Sequence, residues 1–174
     1  MWWNAFDELK YVLVMLLQIL QDALFAAVAA IGFAAISNPP KKAYLLCAII
    51  AAAGQSARYL LMNSSLFDIH IVAASTIAAF IVGTLAVLLS PYGKMPAETC
   101  LFPSLLPMIP GIYAYKAFGS LMLCLSHGVE AEFNHYFFLF ASNGITCLFI
   151  LLGMVVGGTL PIFFFKNISF QATR

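Results

Sequence analysis

The length of its apolar runs constrains this chain more than any other feature. Residues 11–36, 43–62, 71–89, 101–125 and 136–165 each carry at most one charged side chain. Each is close to, or longer than, the roughly 20 residues a helix needs to cross a hydrocarbon layer about 30 Å thick. A water-soluble core cannot absorb such blocks: 63% of the residues are hydrophobic and 9% charged, against roughly 25% charged in a soluble domain. In lipid a spanning segment must pair its backbone groups internally or close into a barrel, and uninterrupted apolar runs of this length fit helices. The expected fold is an all-α integral membrane protein, a single transmembrane domain over residues 1–174 with a bundle of about five transmembrane helices.

The breaks between runs are chemically explicit. Ser37, Asn38, Pro39 and Pro40 end the first run, and Lys41 and Lys42 open the second. Asn63, Ser64 and Ser65, followed by Asp68 and His70, mark an exposed turn. The Pro91 to Pro96 stretch ends the third run, and residues 127–135, with His127, Glu130, Glu132 and His135, read as a polar acidic loop. Basic residues are retained on the cytoplasmic side. With five crossings, Lys41, Lys42, Lys94, Lys166 and Arg174 share one side, and Lys10 and Arg58 fall on the other with Asp7, Glu8, Asp68, Glu130 and Glu132. This bias predicts an outside amino end and a cytoplasmic carboxyl tail. The start, Met-Trp-Trp-Asn with two acids before the first lysine, lacks the basic region of a signal peptide, so the first run is expected to be retained.

Several function classes drop out. A net charge of +1 without a basic stripe leaves nothing to neutralise phosphates, so a nucleic-acid partner is not expected. Cys47, Cys100, Cys124 and Cys147 sit in or beside apolar runs without Cys-x-x-Cys spacing and read as small buried residues. No nucleophile elbow, phosphate loop or His-Glu metal helix occurs, so neither an enzyme nor a cofactor or metal is expected. The loop acids and histidines match no metal spacing.

Small residues recur at helical spacing: Ala26, Ala30 and Ala34, then Ala79 and Gly83, then Gly153 and Gly157. Such faces let helices approach closely in lipid. They serve packing within the chain, while five short spans make a thin bundle, which leaves room for a partner chain or self-association.

Intramembrane ionisable groups are expensive and point to function. Asp22 follows Gln18 and Gln21, and the spacing of four puts Gln18 and Asp22 on one helical face. One reading is a proton- or ion-coupling carboxyl with Gln21 beside it; the other is an interfacial acid or a link to another span. Arg58, after Gly54, Gln55 and Ser56, either meets a substrate carboxylate with its fork or snorkels to headgroups. The most specific feature is the run from Pro103 through Pro107, Pro110 and Gly111 to Tyr113, Tyr115 and Lys116. Prolines remove internal donors, and irregular backbone at membrane depth survives only inside protein or along a cavity. The fourth run is therefore expected to be broken. A half-helix restarting at Gly111 would offer its amino end to a carboxylate; a merely kinked helix with interfacial tyrosines is the alternative. Asn143 in the last run is either interhelical glue or part of a path.

Taken in order, Gln21-Asp22-Ala-Leu-Phe-Ala-Ala-Val-Ala-Ala-Ile-Gly32, Asn38-Pro39, Gly54-Gln-Ser-Ala-Arg58 and Leu106-Pro107-Met-Ile-Pro110-Gly111-Ile-Tyr-Ala-Tyr115 resemble the YjjB-type small subunit of the threonine/serine exporter family. The resemblance runs from Gln18 to Phe118 and less clearly through the last run. It implies a secondary transporter in the bacterial inner membrane, built from two membrane halves that are fused or split between a small chain and a larger YjjP-type partner. This chain is similar to the second half of the fused members. Fused members export threonine and serine, and the split pair is associated with succinate, so the implied substrate is a small carboxylate-bearing metabolite. The resemblance supports Asp22, Arg58, Pro107, Pro110 and Gly111 as motif positions; Lys116 lies outside the pattern. The competing class is a non-transporting accessory subunit that stabilises the partner.

Overall fold

A computed structural model describes residues 2–63, 69–126 and 130–165. Asp68, His127, Lys166 and Arg174, used above for loops and orientation, lie outside the described residues, as do the side chains of Asp7 and Glu8. Every regular element among the described residues is helical: α1 (Trp2–Ile36), α2 (Lys41–Asn63), α3 (Ile71–Gly93), α4 (Ala97–Leu105), a 3-10 turn (Leu106–Met108), α5 (Gly111–Ser126) and α6 (Glu130–Phe164). Four of these helices, α1, α2, α3 and α6, are individually long and apolar enough to cross a membrane, and α4 with α5 forms a pair bent by 52° at the proline block.

Two boundaries differ from the sequence expectation. Helix α1 begins at Trp2 rather than near residue 11, because nothing in the preceding residues breaks a helix. The acidic stretch is not wholly a loop: residues 130–135 form the first turns of α6, with Glu130 and Glu132 in its first turn, where negative charge complements the helix dipole. At about 1.5 Å per residue, α6 is roughly 50 Å long and extends well beyond the hydrocarbon layer.

The order of contacts along the helices fixes their directions. A Cβ built on Gly153 or Gly157 would collide with Thr76, and one on Gly83 with the Gly158 carbonyl oxygen. Contacts therefore advance together along α3 and α6, and these helices run parallel. The bent pair between them must return the chain across the bundle, giving five passes. Helix α5 then pairs antiparallel with α6: a Gly144 Cβ would lie 3.9 Å from Ala117, and the Cys124 thiol approaches the Phe133 carbonyl at 3.8 Å.

The small-residue faces sit at these seams. Ala26, Ala30 and Ala34 of α1 are buried, as are Ala79 and Gly83 of α3. The fully buried large side chains, among them Ile50, Val82, Leu101, Met108 and Ile150, form one core where α2, α3, α4 and α6 meet. Cys47, Cys100 and Cys124 are buried free thiols and Cys147 is half-buried, in keeping with their apolar role. Large apolar side chains such as Leu13, Leu20, Leu24 and Val28 remain exposed along α1, only 6% of whose span window is covered by the rest of the chain.

Candidate functional site

A proline inside a helix frees a carbonyl four residues back, and two of these find partners that shape the interior. The carbonyl of Val87, released by Pro91, accepts from the Ser90 hydroxyl at 2.9 Å. That of Thr99, released by Pro103, is approached by the Cys47 thiol at 3.8 Å. The carbonyl of Leu106 closes the 3-10 turn by accepting the Ile109 amide at 3.2 Å. Beyond it the helix stops. Ile109 turns to an extended conformation (φ −56°, ψ 132°), and the chain restarts as α5 at Gly111.

The carbonyl of Met108, at this break, accepts a hydrogen bond from Arg58 Nη1 at 2.8 Å. Arg58 is thereby drawn from α2 to the broken backbone. A guanidinium has five N–H donors, so one carbonyl does not exhaust it. Gln55, Arg58, Tyr59 and Met62 recur at helical spacing and line one cleft of about 430 Å³, a size within the usual range for small-molecule sites. Across it stand Asp22 of α1, then Pro107, Pro110 and Gly111 of the break, and Tyr113 and Lys116 of α5. The Tyr59 hydroxyl donates to the amide oxygen of Gln18, tying α1 to α2 one turn from Asp22. Asp22 lies 14 residues before Ile36, about 21 Å along α1 at ~1.5 Å per residue, deep within the span.

A second cavity of about 230 Å³ shares Asp22, Gln55 and Pro107 with the cleft and is otherwise walled by Phe25, Ala26 and Ala29. The amide oxygen of Gln55 is buried without a hydrogen-bond partner. The cleft lining therefore combines one acid, Asp22, with two cations, Arg58 and Lys116, and the amino end of α5. No cluster of three or more potential metal ligands occurs among the described residues.

The sequence profile described as "Threonine/Serine exporter, ThrE" matches residues 22–164, from Asp22 itself to the end of α6. This chain belongs to the threonine/serine exporter family. A Haemophilus influenzae protein named only as "Uncharacterized protein" is 36% identical over 148 residues, covering 85% of this chain and 48% of the relative. The chain thus spans about half the length of that curated relative. No solved structure matches.

In this exporter-family chain the cleft gathers most, but not all, of the residues singled out in the sequence. Asp22, Arg58, Pro107, Pro110, Gly111 and Tyr113 converge on it. Tyr115 does not: it is 80% exposed, because two residues along a helix turn a side chain about 200° away from Tyr113. Gln21 is likewise exposed and outside the cleft, whereas Gln18, one turn before Asp22, shares the face that reaches α2. Lys116, outside the family pattern, lines the cleft one turn after Tyr113. The Asn143 amide donates to the Leu139 carbonyl of its own helix at 2.7 Å, and Asn143 is not among the residues lining the cleft. Gln55 is the functional candidate that the sequence left unassigned. Its position three residues before Arg58 was the available signal, since that spacing places both on one face.

Proposed function

We propose that this chain is one subunit of a secondary transporter that exports small carboxylate-bearing metabolites across the bacterial inner membrane, with threonine and serine or a succinate-like dicarboxylate as cargo. Family membership supports transport of the threonine/serine-exporter type. The observation that carries the residue-level reading is the convergence of Arg58, the broken fourth segment and Asp22 on one cleft.

In this reading the substrate carboxylate docks between Arg58 and the amino end of α5 at Gly111. A guanidinium fork and a helix amino terminus are both suited to carboxylates. Pro107 and Pro110 keep the backbone open there, and Tyr113 adds a hydroxyl. Asp22, the one acid among the described residues of the cleft lining, couples export to a proton or cation. A larger YjjP-type membrane subunit completes the path, which agrees with the half-length match to the relative and the uncovered flank of α1. The lysine distribution supports an outside amino end and a cytoplasmic carboxyl tail. Lys41, Lys42 and Tyr92 bordering one surface hollow place two of the basic turns at the same end of the bundle.

The test is export of labelled threonine and labelled succinate from cells producing this chain alone, with a YjjP-type partner, or with neither. Export that requires both chains supports the two-component exporter. No export of either substrate, with both chains present in the membrane, refutes it.

A further inference from the structure

We infer that the hollow at the amino end of α2 binds an anionic phospholipid, its phosphate held by Lys41, Lys42 and Tyr92 and its acyl chain laid on Leu45 and Leu46. The inference is independent of the transport reading, since the hollow shares no residue with the cleft at Arg58.

The hollow encloses about 380 Å³ and is lined by Lys41, Lys42, Leu45 and Leu46 of α2 and Tyr92 of α3. Its lining holds two cations and no acid. Two adjacent ammonium groups repel each other, and here they also sit at the positive end of the helix dipole, with no acidic residue in the first turn of α2. An anion between them offsets both costs. Each leucine follows a lysine by four residues, so it lies on the same helical face about 6 Å deeper, at ~1.5 Å per residue. Helix α2 is long and apolar enough to span, and it begins at Lys41. The ammonium groups therefore stand at headgroup level, with the leucines in the outer hydrocarbon. Tyr92 adds the amphipathic ring typical of the interface, with a hydroxyl that can donate to a phosphate oxygen. A soluble phosphate would use the lysines alone, whereas a phospholipid uses the lysines and the apolar surface beneath them together.

Local structure fixes the walls of the hollow. Lys94 adopts a left-handed conformation (φ 51°), and its amide donates to the Pro91 and Ser90 carbonyls, which closes the last turn of α3 around Tyr92. Gly93 lets Met95 fold back beneath that turn. A Cβ at Gly93 would collide with the Met95 methyl and lie 3.3 Å from Leu46 Cδ1, so Leu46 is held against the end of α3. The site thus joins two spans, and a lipid seated in it bridges α2 to α3. Ordinary snorkelling of a lysine to the headgroups needs no second helix. Basic pockets between membrane helices are the recognised way to hold an anionic headgroup.

The experiment is native mass spectrometry of the purified full-length chain in detergent, titrated with phosphatidylglycerol and, separately, with phosphatidylcholine of the same acyl chains. Phosphatidylglycerol should bind more tightly by about tenfold or more. Lys41→Gln and Lys42→Gln should each weaken it about fivefold, the ~1 kcal/mol of one lysine at an anionic surface, and leave phosphatidylcholine binding unchanged. Tyr92→Leu, which alters no charge, should weaken it by about threefold or more through one lost hydrogen bond. Lys41, Lys42 and Tyr92 are exposed, so none of these changes touches the core. Lys10→Gln removes the same charge outside the hollow and should bind phosphatidylglycerol like wild type. Equal affinity for the two lipids overturns the inference and leaves the lysines open to an acidic segment of another chain. A loss in Lys10→Gln equal to that in Lys41→Gln marks general charge attraction and also overturns it. Glycerophosphoglycerol, the headgroup without chains, should fail to compete; displacement of the lipid by an equal concentration of it would make the hollow a soluble-phosphate site and refute the lipid. Each of these results leaves the transporter reading where it stands.

Discussion

Replacing Arg58 separates the two jobs that the structure gives it. Its Nη1 bonds the Met108 carbonyl at 2.8 Å, and a hydrogen bond to a charged group contributes about 1.5–3 kcal/mol. Arg58→Met removes that bond and leaves a carbonyl of the broken segment unpaired, so a loss of about 2 kcal/mol is expected. At the scale of about 2–4 °C per kcal/mol for a chain of this size, the melting midpoint in detergent should fall by roughly 4–8 °C. Export should be abolished, because the carboxylate loses its fork. Arg58→Lys retains the charge and can still donate to Met108, but a lysine has no planar fork with which to hold the carbonyl and a carboxylate together. Its midpoint should stay within about 2–4 °C of wild type, the equivalent of ~1 kcal/mol. Its half-saturating substrate concentration should rise about tenfold or more, since 1.4 kcal/mol is a factor of ten in affinity. Melting curves and vesicle uptake on the same preparations decide the matter. A lowered midpoint in Arg58→Met with unchanged half-saturation would reduce Arg58 to a strut for the break; unchanged values in both assays would refute the geometry at Met108 as well.

Five further substitutions probe the rest of the site and its frame. Asp22→Asn should insert at wild-type levels yet lose coupled export; pH-dependent export persisting in this variant removes Asp22 from the mechanism. Gly83→Ala should be destabilising by about 1–3 kcal/mol, because the new Cβ meets the Gly158 carbonyl, part of a backbone that cannot swing aside. Gly111→Ala has open space around its Cβ and should melt like wild type while raising half-saturation; melting of Gly83→Ala at the wild-type midpoint would contradict the α3 to α6 seam. Tyr113→Phe should weaken uptake and Tyr115→Phe should not, since only the first lines the cleft; equal effects would place the substrate elsewhere.

The frame was legible where chemistry is local. Runs of apolar residues announce helices because lipid forbids unpaired backbone, and the proline block announces a break because proline lacks a donor. Helical period placed Gln18 with Asp22 and Gln55 with Arg58 on common faces. What the sequence did not disclose depends on distance in space. Nothing in Arg58 itself names Met108, fifty residues on, as the carbonyl that draws it inward. Tyr113 and Tyr115 look equivalent on the page until the rotation of α5 about its axis is fixed by packing against α6. The acidic residues 130–135 looked like a loop because polarity was read as a break, whereas a helix that leaves the membrane can carry charge freely on its first turns.

The parallel course of α3 and α6 gives the proline block its structural meaning. Two parallel neighbours separated by one connection require that connection to traverse the bundle, so α4 and α5 together must cross, and their 52° bend falls inside the crossing rather than at its edge. A break so placed exposes polar backbone at depth. It is tolerable only if side chains pair those groups, which is what Cys47 and Arg58 do along α4 and the 3-10 turn. Of these two partners only Arg58 is charged and borders a cavity of substrate size. The same interaction that makes the break affordable in lipid therefore sets a cation at the mouth of α5, and Asp22 on the facing helix supplies the opposite charge.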